Sequence, residues 1–430
     1  MLKYLKYLFR SLLILLITIV HYYGTIKTTY FSGPPPPINT TTYFFCCFFL
    51  PLTTFSIFSY SPPNSIFRKS ILILSILSIF SFPLIFSNVY TVTFHVPIAL
   101  FSFIYGCKML IWMKNSLMDP NSTKPFAWLL FFWRPKEGDI PIMKQEDLLK
   151  QGITKDHLES YINHHYKRYL CVWVLYMICA QFTELFVPDI PETPFPIRVI
   201  EYFFYGGPLF TSLFNLFYCY IYAGALFLSM NYLYELIIIS SAHLLNYIYS
   251  SPNSLLHRKL TKDQLDSLKL WLISLLFYSK SIFDEPYLSK NPRELWSIRW
   301  HQMFHEIFVE LGYKPICYLF SPFPVKLQKI FGILGSFAIS GILHEYILYS
   351  SNEYFTLEQF TYFLFNAIIM IIWESITKFK LEKGQKILWK RIVNSLFMTI
   401  FVFLTLPWFI EPYIRCEHYH SLMHFICRKF

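Results

Sequence analysis

Apolar residues recur in long runs along the whole chain, at roughly 8–26, 41–60, 71–91, 92–113, 168–187, 202–249, 330–350, 359–377 and 388–410. A helix needs about 20 apolar residues to cross a bilayer. In lipid, only structures that satisfy their own backbone hydrogen bonds can span. The pattern predicts an all-α, polytopic membrane protein, a single domain over residues 1–430 with about 8–10 membrane helices. The run 202–249 is too long for one span, and Gly206, Gly207, Pro208 and Gly224 are where it is expected to break or bend. One span plus one re-entrant or interfacial piece would satisfy the parity of the crossings. Prolines 34–37 form a stiff extended linker between the first two runs. Ahead of the first run stand Lys3, Lys6 and Arg10; His21, Tyr22 and Tyr23 follow it where a cleavage site would need small residues. That reads as a retained signal anchor with its N-terminus in the cytosol.

The polar stretches between runs set the orientation. Residues 114–167 and 250–329 are rich in basic residues, and 378–391 carries Lys378, Lys380, Lys383, Lys386, Lys390 and Arg391. The loop 351–358 holds Glu353 and Glu358 and no basic residue. The positive-inside rule therefore puts 378–391 in the cytosol and 351–358 in the lumen. Within 114–167, residues 153–167 are predicted as a helix capped by Thr154, with His164 and His165 facing water. Residues 271–278 are apolar but too short to span.

Composition narrows the class further. Of the 430 residues, 55% are apolar, 20% aromatic and only 15% charged, against about 25% charged in an ordinary soluble domain. A soluble enzyme and a disordered chain are both excluded. The net charge of +11 comes from 37 basic and 26 acidic residues. No Lys/Arg block is dense enough for nucleic acid, and the excess suits the cytosolic leaflet. Of nine cysteines none forms a CxxC pair; Cys46, Cys47, Cys171, Cys179 and Cys219 lie in apolar runs and are expected to pack as small hydrophobes. Near the C-terminus, Cys416 and Cys427 bracket His418, His420 and His424. Spacing alone does not make that a zinc site, and an interfacial terminal segment is the preferred reading.

Two segments carry candidate chemistry. The first, SIFDEPYLSKNPRELWSIRWHQMFHE at 281–306, is polar, aromatic and proline-punctuated in an otherwise apolar chain. Asn291 and Pro292 suit the cap and first turn of a helix that would set Trp296 and Trp300 on one face. By composition it could equally be an amphipathic interfacial helix. The second, 329–349, places His344 and Glu345 inside a span, where an ionisable residue is a functional candidate by default. Gly332, Ser336, Ser340 and His344 recur every four residues as a ridge of small side chains ending at an imidazole, which admits close approach of another helix or a lipid chain. A packing groove with a bonded histidine explains it as well. Glu345 points about 100° away from His344 and is expected to pair with another helix. His95 and His243 lack such a ridge and read as satisfied core histidines.

DEPYLSKNPRELWSIRWHQ, then FAISGILHEYILY about 35 residues later, then TYFLFNAIIMIIWE, resemble the membrane-bound O-acyltransferases, in particular their wax-synthase-like branch. The resemblance covers about 278–375, and upstream only hydropathy agrees. It implies transfer of an acyl group from acyl-CoA to a hydroxyl, with no permanently bound cofactor and no metal, in the endoplasmic reticulum membrane. His344 matches the family's catalytic histidine. His301 falls where many members have Asn and some have His, and Ser297 and Ile298 depart from the family pattern before Arg299. General-base catalysis suits a histidine near position 344. His301, with Arg299, is a candidate to hold the acyl carbonyl or the CoA. Arg299, Arg293, Lys290 and Lys280 are expected to receive the anionic CoA diphosphate.

The substrates so implied are acyl-CoA and a hydrophobic alcohol within the bilayer: a long-chain fatty alcohol, a sterol, or a small metabolite acetylated from acetyl-CoA. A transporter using His344 as a proton relay is the competing class. Transporters often show internal repeats; none is visible, and 250–329 is long and interfacial for one.

Overall fold

The computed structural model describes residues 38–59, 65–118, 126, 155–377 and 388–416, apart from a few isolated positions within those stretches. The N-terminal run 8–26, the Asn121 sequon, Thr154, most of the basic segment 378–391 and the C-terminal histidines lie outside them.

The described chain is helical. The principal helices are α1 (Thr40–Ser59), α2 (Ile66–Ile85), α3 (Val92–Met118), α4 (Lys155–Leu185), α5 (Phe195–Tyr205), α6 (Leu213–Ser250), α7 (Lys262–Tyr278), α8 (Val325–Asn352), α9 (Glu358–Thr377) and α10 (Leu388–Arg415). Among the described residues, seven helices are long and apolar enough to cross a membrane: α1, α2, α3, α6, α8, α9 and α10. The polytopic all-α expectation is met. Starts are set locally: Asn39 Oδ1 accepts from Thr42 N at 2.7 Å ahead of α1, and Thr261 and Gln264 form a reciprocal capping box on α7.

The long run near 202–249 breaks at its N-terminal side. Helix α5 ends at Gly206, the chain is extended around Gly207 and Pro208, and α6 then continues without interruption through Gly224. No break occurs at Gly224, which sits within the continuous helix with open space where a Cβ would stand. Helix α6 is 38 residues, or about 57 Å, well over the thickness of one hydrocarbon core. Helix α5 exposes Phe203, Phe204 and Tyr205, as an interfacial aromatic piece does. Of the two, α6 alone is long and apolar enough to cross a membrane.

The segment around His164 and His165 corrects the sequence reading. The helix expected over 153–167 is present from Lys155 and runs unbroken into the following apolar run as α4; what changes is the surroundings of His165. His164 is exposed, but His165 is buried against α6, where its Nδ1 lies 2.5 Å from the Glu235 carboxylate. Arg168 Nε lies 2.9 Å from the other oxygen of that carboxylate, an ion pair. A charge as deep as Glu235 requires such partners. His95 bonds Tyr43 OH at 2.9 Å through Nδ1, while its buried Nε2 has no hydrogen-bond partner, and half-buried His243 meets Tyr166 OH at 3.3 Å.

Helices α8, α9 and α10 assemble around one another. An ion network joins their ends. Arg415 donates to both oxygens of Glu358 at 2.6 and 3.0 Å, Glu411 lies 3.4 Å from Arg415, and Arg198 of α5 bonds Glu411. Glu358 is thus a buried partner at the start of α9, not an exposed loop carboxylate. Proline shapes α10: Pro407 has no N–H to offer the Phe403 carbonyl one turn back, and Tyr220 of α6 donates its OH to that carbonyl.

Candidate active site

The ridge on α8 is filled by protein. A Cβ added at Gly332 would lie 2.6 Å from Cys317 Sγ and 2.8 Å from the Tyr313 ring, and Ser336 Oγ donates to Phe308 O at 3.2 Å. Small residues let the 305–319 helical segment press against α8, so the ridge is a helix-packing groove over most of its length. At Gly341 an added Cβ would lie 2.7 Å from Phe360 Cα, which brings α9 equally close one turn before His344. Glu345 Oε1 accepts from the backbone N–H groups of Gln359 and Phe360 at 2.9 and 3.2 Å. It satisfies the otherwise orphaned donors at the start of α9, and so pairs with another helix as its direction predicted.

His344 stands at the end of this groove in a box of aromatic rings. Phe363 stacks on its face at 4.8 Å and 18°, and Phe409 meets it edge-on at 5.1 Å. Its Nδ1 lies 2.6 Å from the hydroxyl of Tyr413 on α10. Tyr413 escaped the sequence reading because it is 69 residues downstream of His344, beyond the recognisable motifs.

The motif segment 281–304 is not the regular helix expected from Pro292. Asn291 Oδ1 does cap the turn, accepting from Glu294 N at 2.8 Å. The turn then widens into a π-type turn over Glu294–Arg299, and Trp300 is extended. His301 follows in the left-handed region with φ 44°. Trp296 and Trp300 therefore do not share a helix face. The cause is Arg299: its guanidinium binds Glu294 Oε1 at 2.9 Å and donates to the carbonyls of Asp284 and Glu285 at 2.8 and 3.3 Å. Two backbone bonds close the same loop, Asp284 N to Arg299 O and Gln302 N to Ile282 O, each 2.9 Å. Irregular backbone at membrane depth is tolerated only where protein satisfies it, and Arg299 supplies the donors.

The segment runs inward along α9. Arg293 meets Glu374 at 3.3 Å near the end of α9 that leads to the basic 378–391 stretch. Trp296 packs edge-on against Phe337 and Phe363, each at 5.9 Å. From Glu374 to Phe363 is about 16 Å along the helix axis. Arg293 thus stays at that end of α9, while Trp296 reaches Phe363, the ring stacked on His344, and Trp300 and His301 continue the line of rings. Both histidines keep part of their surface accessible. His301 is flanked by Phe283, Trp300 and Phe304. Dense surroundings push its imidazole down to about 3, and His344 adds to the effect. Its Nδ1 is buried without a hydrogen-bond partner, as is the Trp296 indole N–H. Among the described residues no cluster of His, Cys, Asp and Glu is arranged to hold a metal.

Comparison with known proteins places this segment. An irregular, aromatic, Arg-clasped loop set against a His-bearing membrane helix is the part of the chain that matches a known class: the family model of the Membrane bound O-acyl transferase family matches residues 279–367. The resemblance seen in the motifs, to that family and its wax-synthase-like branch, is borne out.

Among individual relatives, the chain is 25% identical over 143 residues to a probable long-chain-alcohol O-fatty-acyltransferase 2 of Arabidopsis thaliana, covering 33% of this chain and 40% of that protein. It is 30% identical over 139 residues to acyl-CoA–sterol O-acyltransferase 1 of the same plant, covering 31% and 39%. A probable long-chain-alcohol O-fatty-acyltransferase 6 is 29% identical over 131 residues, covering 30% and 37%. The chain thus spans about two-fifths of the length of the curated relatives it matches.

Proposed function

We propose that the chain is a membrane acyltransferase that moves an acyl group from acyl-CoA to the hydroxyl of a hydrophobic alcohol, in the endoplasmic reticulum membrane. The observation that carries the reading is the meeting of His301 and His344. They come from separate motifs and are joined by a line of packed rings, His301 on Trp300, Trp300 on Trp296, Trp296 on Phe363 and Phe363 on His344. A long-chain fatty alcohol or a sterol-like alcohol is the acceptor the apolar surroundings favour, in line with the names of the relatives.

In this reading His344 is the general base. Its Nε2 takes the hydroxyl proton as the alcohol oxygen bonds to the thioester carbonyl carbon. The tetrahedral oxyanion collapses, the carbon–sulfur bond breaks, and the CoA thiolate leaves with that proton from the imidazolium. His301, held neutral at working pH, serves as a hydrogen-bonding group to the acyl oxygen rather than as a cation. Lys290, Arg293 and Lys280 take the CoA phosphates. Arg299 contributes by building the loop that presents His301, its guanidinium being already engaged. No bound cofactor is required for these steps.

Purified protein in detergent, given labelled long-chain acyl-CoA with fatty alcohols and sterols in turn, should form labelled ester with at least one acceptor and release free CoA. The same assay with acetyl-CoA separates long-chain from acetyl transfer. Absence of ester with every alcohol and donor, from protein that remains folded, would favour the transport reading.

A further inference from the structure

Among the described residues, the hydrogen-bond partner of His344 is the Tyr413 hydroxyl, 2.6 Å from Nδ1. Tyr413 is buried, and its ring packs on Phe409 at 5.5 Å. The turn that carries it is pinned on both sides. Glu411 precedes it by two residues and is bonded by Arg198; Arg415 follows by two and grips Glu358 with both nitrogens. Glu358 begins α9, the helix whose Phe363 stacks on the His344 face. One ion network therefore fixes both the phenol at the edge of the imidazole and the ring against its face. The adjacent Glu345, the residue an ordinary triad would use, is turned to cap α9.

We propose that Tyr413 is the positioning residue of His344, with its phenol oxygen accepting the Nδ1–H and so holding the imidazole in the tautomer whose Nε2 lone pair is free. The orienting group of a catalytic histidine decides which nitrogen is basic. Here a neutral phenol takes the place a carboxylate often fills, which suits a site surrounded by apolar rings, where an unpaired anion would be costly. Tyr413 gives and takes no proton in the reaction; it stays bonded to Nδ1–H while Nε2 is protonated and then released. The inference rests on the acyl-transfer reading only for its kinetic consequence.

The test is Tyr413→Phe, which removes one oxygen and keeps the ring packing. Nitrogen-15 spectra of histidine-labelled protein in detergent, with the His344 signal identified by its loss in His344→Ala, should show one Nδ1–H tautomer in the unsubstituted chain and a mixture in Tyr413→Phe. In ester formation the variant should lose about 10–100-fold in kcat, the usual cost of deleting a histidine's orienting partner. KM for acyl-CoA and for the alcohol should be unchanged. Tyr218→Phe, which deletes a buried phenol bonded to Thr183 O far along the chain, should leave tautomer and kcat as they were. An unaltered His344 spectrum in Tyr413→Phe would overturn the proposal, as would an unaltered kcat where His344→Ala is inactive. If His344→Ala itself keeps full activity, the acyl-transfer assignment of the base falls, and the spectra still decide whether Tyr413 sets the tautomer.

Discussion

His344 and His301 each sit among aromatic rings but are held in opposite ways, and their substitutions should differ accordingly. His344 lies on a regular helix with a bonded Nδ1. His344→Ala is expected to cut turnover about 10²–10⁴-fold, the usual contribution of positioned proton transfer. It should still insert, since it removes a polar group from a span. Quantitation of ester per mole of folded protein measures this, with His95→Ala and His243→Ala as comparisons. His301 instead occupies a left-handed backbone position, φ 44°. Asn and His are enriched there among non-glycine residues, and Ala is disfavoured. His301→Asn should therefore keep the loop and retain more activity than His301→Ala, which loses the side-chain polar group and strains the turn as well. Equal activity of the two variants would contradict this.

At the scale of helices, Glu345 links α8 to α9. It caps α9 through one oxygen that accepts from two backbone N–H groups. Glu345→Ala should lower the thermal midpoint in detergent and also reduce activity, because α9 carries Phe363 against His344. Loss of a helix N-cap typically costs about 0.5–2 kcal/mol. Glu345→Gln keeps an acceptor oxygen and should recover most of both. A thermal midpoint for Glu345→Ala equal to the unsubstituted protein would exclude the cap. The helices themselves were legible from the runs of apolar residues, and so was the outward turn of Glu345, since both follow from helical periodicity. The course of 294–301 was not. Pro292 and Asn291 announce an ordinary helix start, whereas the π-type turn and the extended Trp300 depend on Arg299 reaching carbonyls 14 and 15 residues earlier. His165 was misjudged for the same kind of reason: its partner Glu235 lies 70 residues away on another helix. Tyr413 shows it again within the site. Periodicity reports which way a side chain points, not which distant group it finds.

For the molecule as a whole, the orientation predicted from charge can be tested without any assay of chemistry. Asn39, in the sequon Asn39-Thr40-Thr41, is exposed, and its Oδ1 caps α1. It lies on the side predicted to be lumenal. Asn121, in Asn121-Ser122-Thr123, lies in a stretch predicted to be cytosolic. Expression in microsomes should leave Asn121 free of glycan, while Asn39 is open to modification if it stands far enough from the bilayer. A glycan on Asn121, detected by an endoglycosidase shift that Asn121→Gln abolishes, would reverse the orientation of 114–167.

The bond between His344 and Tyr413 also sets a schedule. Ribosomes make chain at about 5–20 residues per second, and 69 residues separate the two partners. For roughly 3–14 seconds of synthesis, both recognisable motifs exist while the residue that aligns the histidine has not yet been made. A nascent chain halted between α9 and α10 would carry His301 and His344 without Tyr413. If Tyr413 positions His344, completion of α10, the last described helix, is the event that arms the histidine.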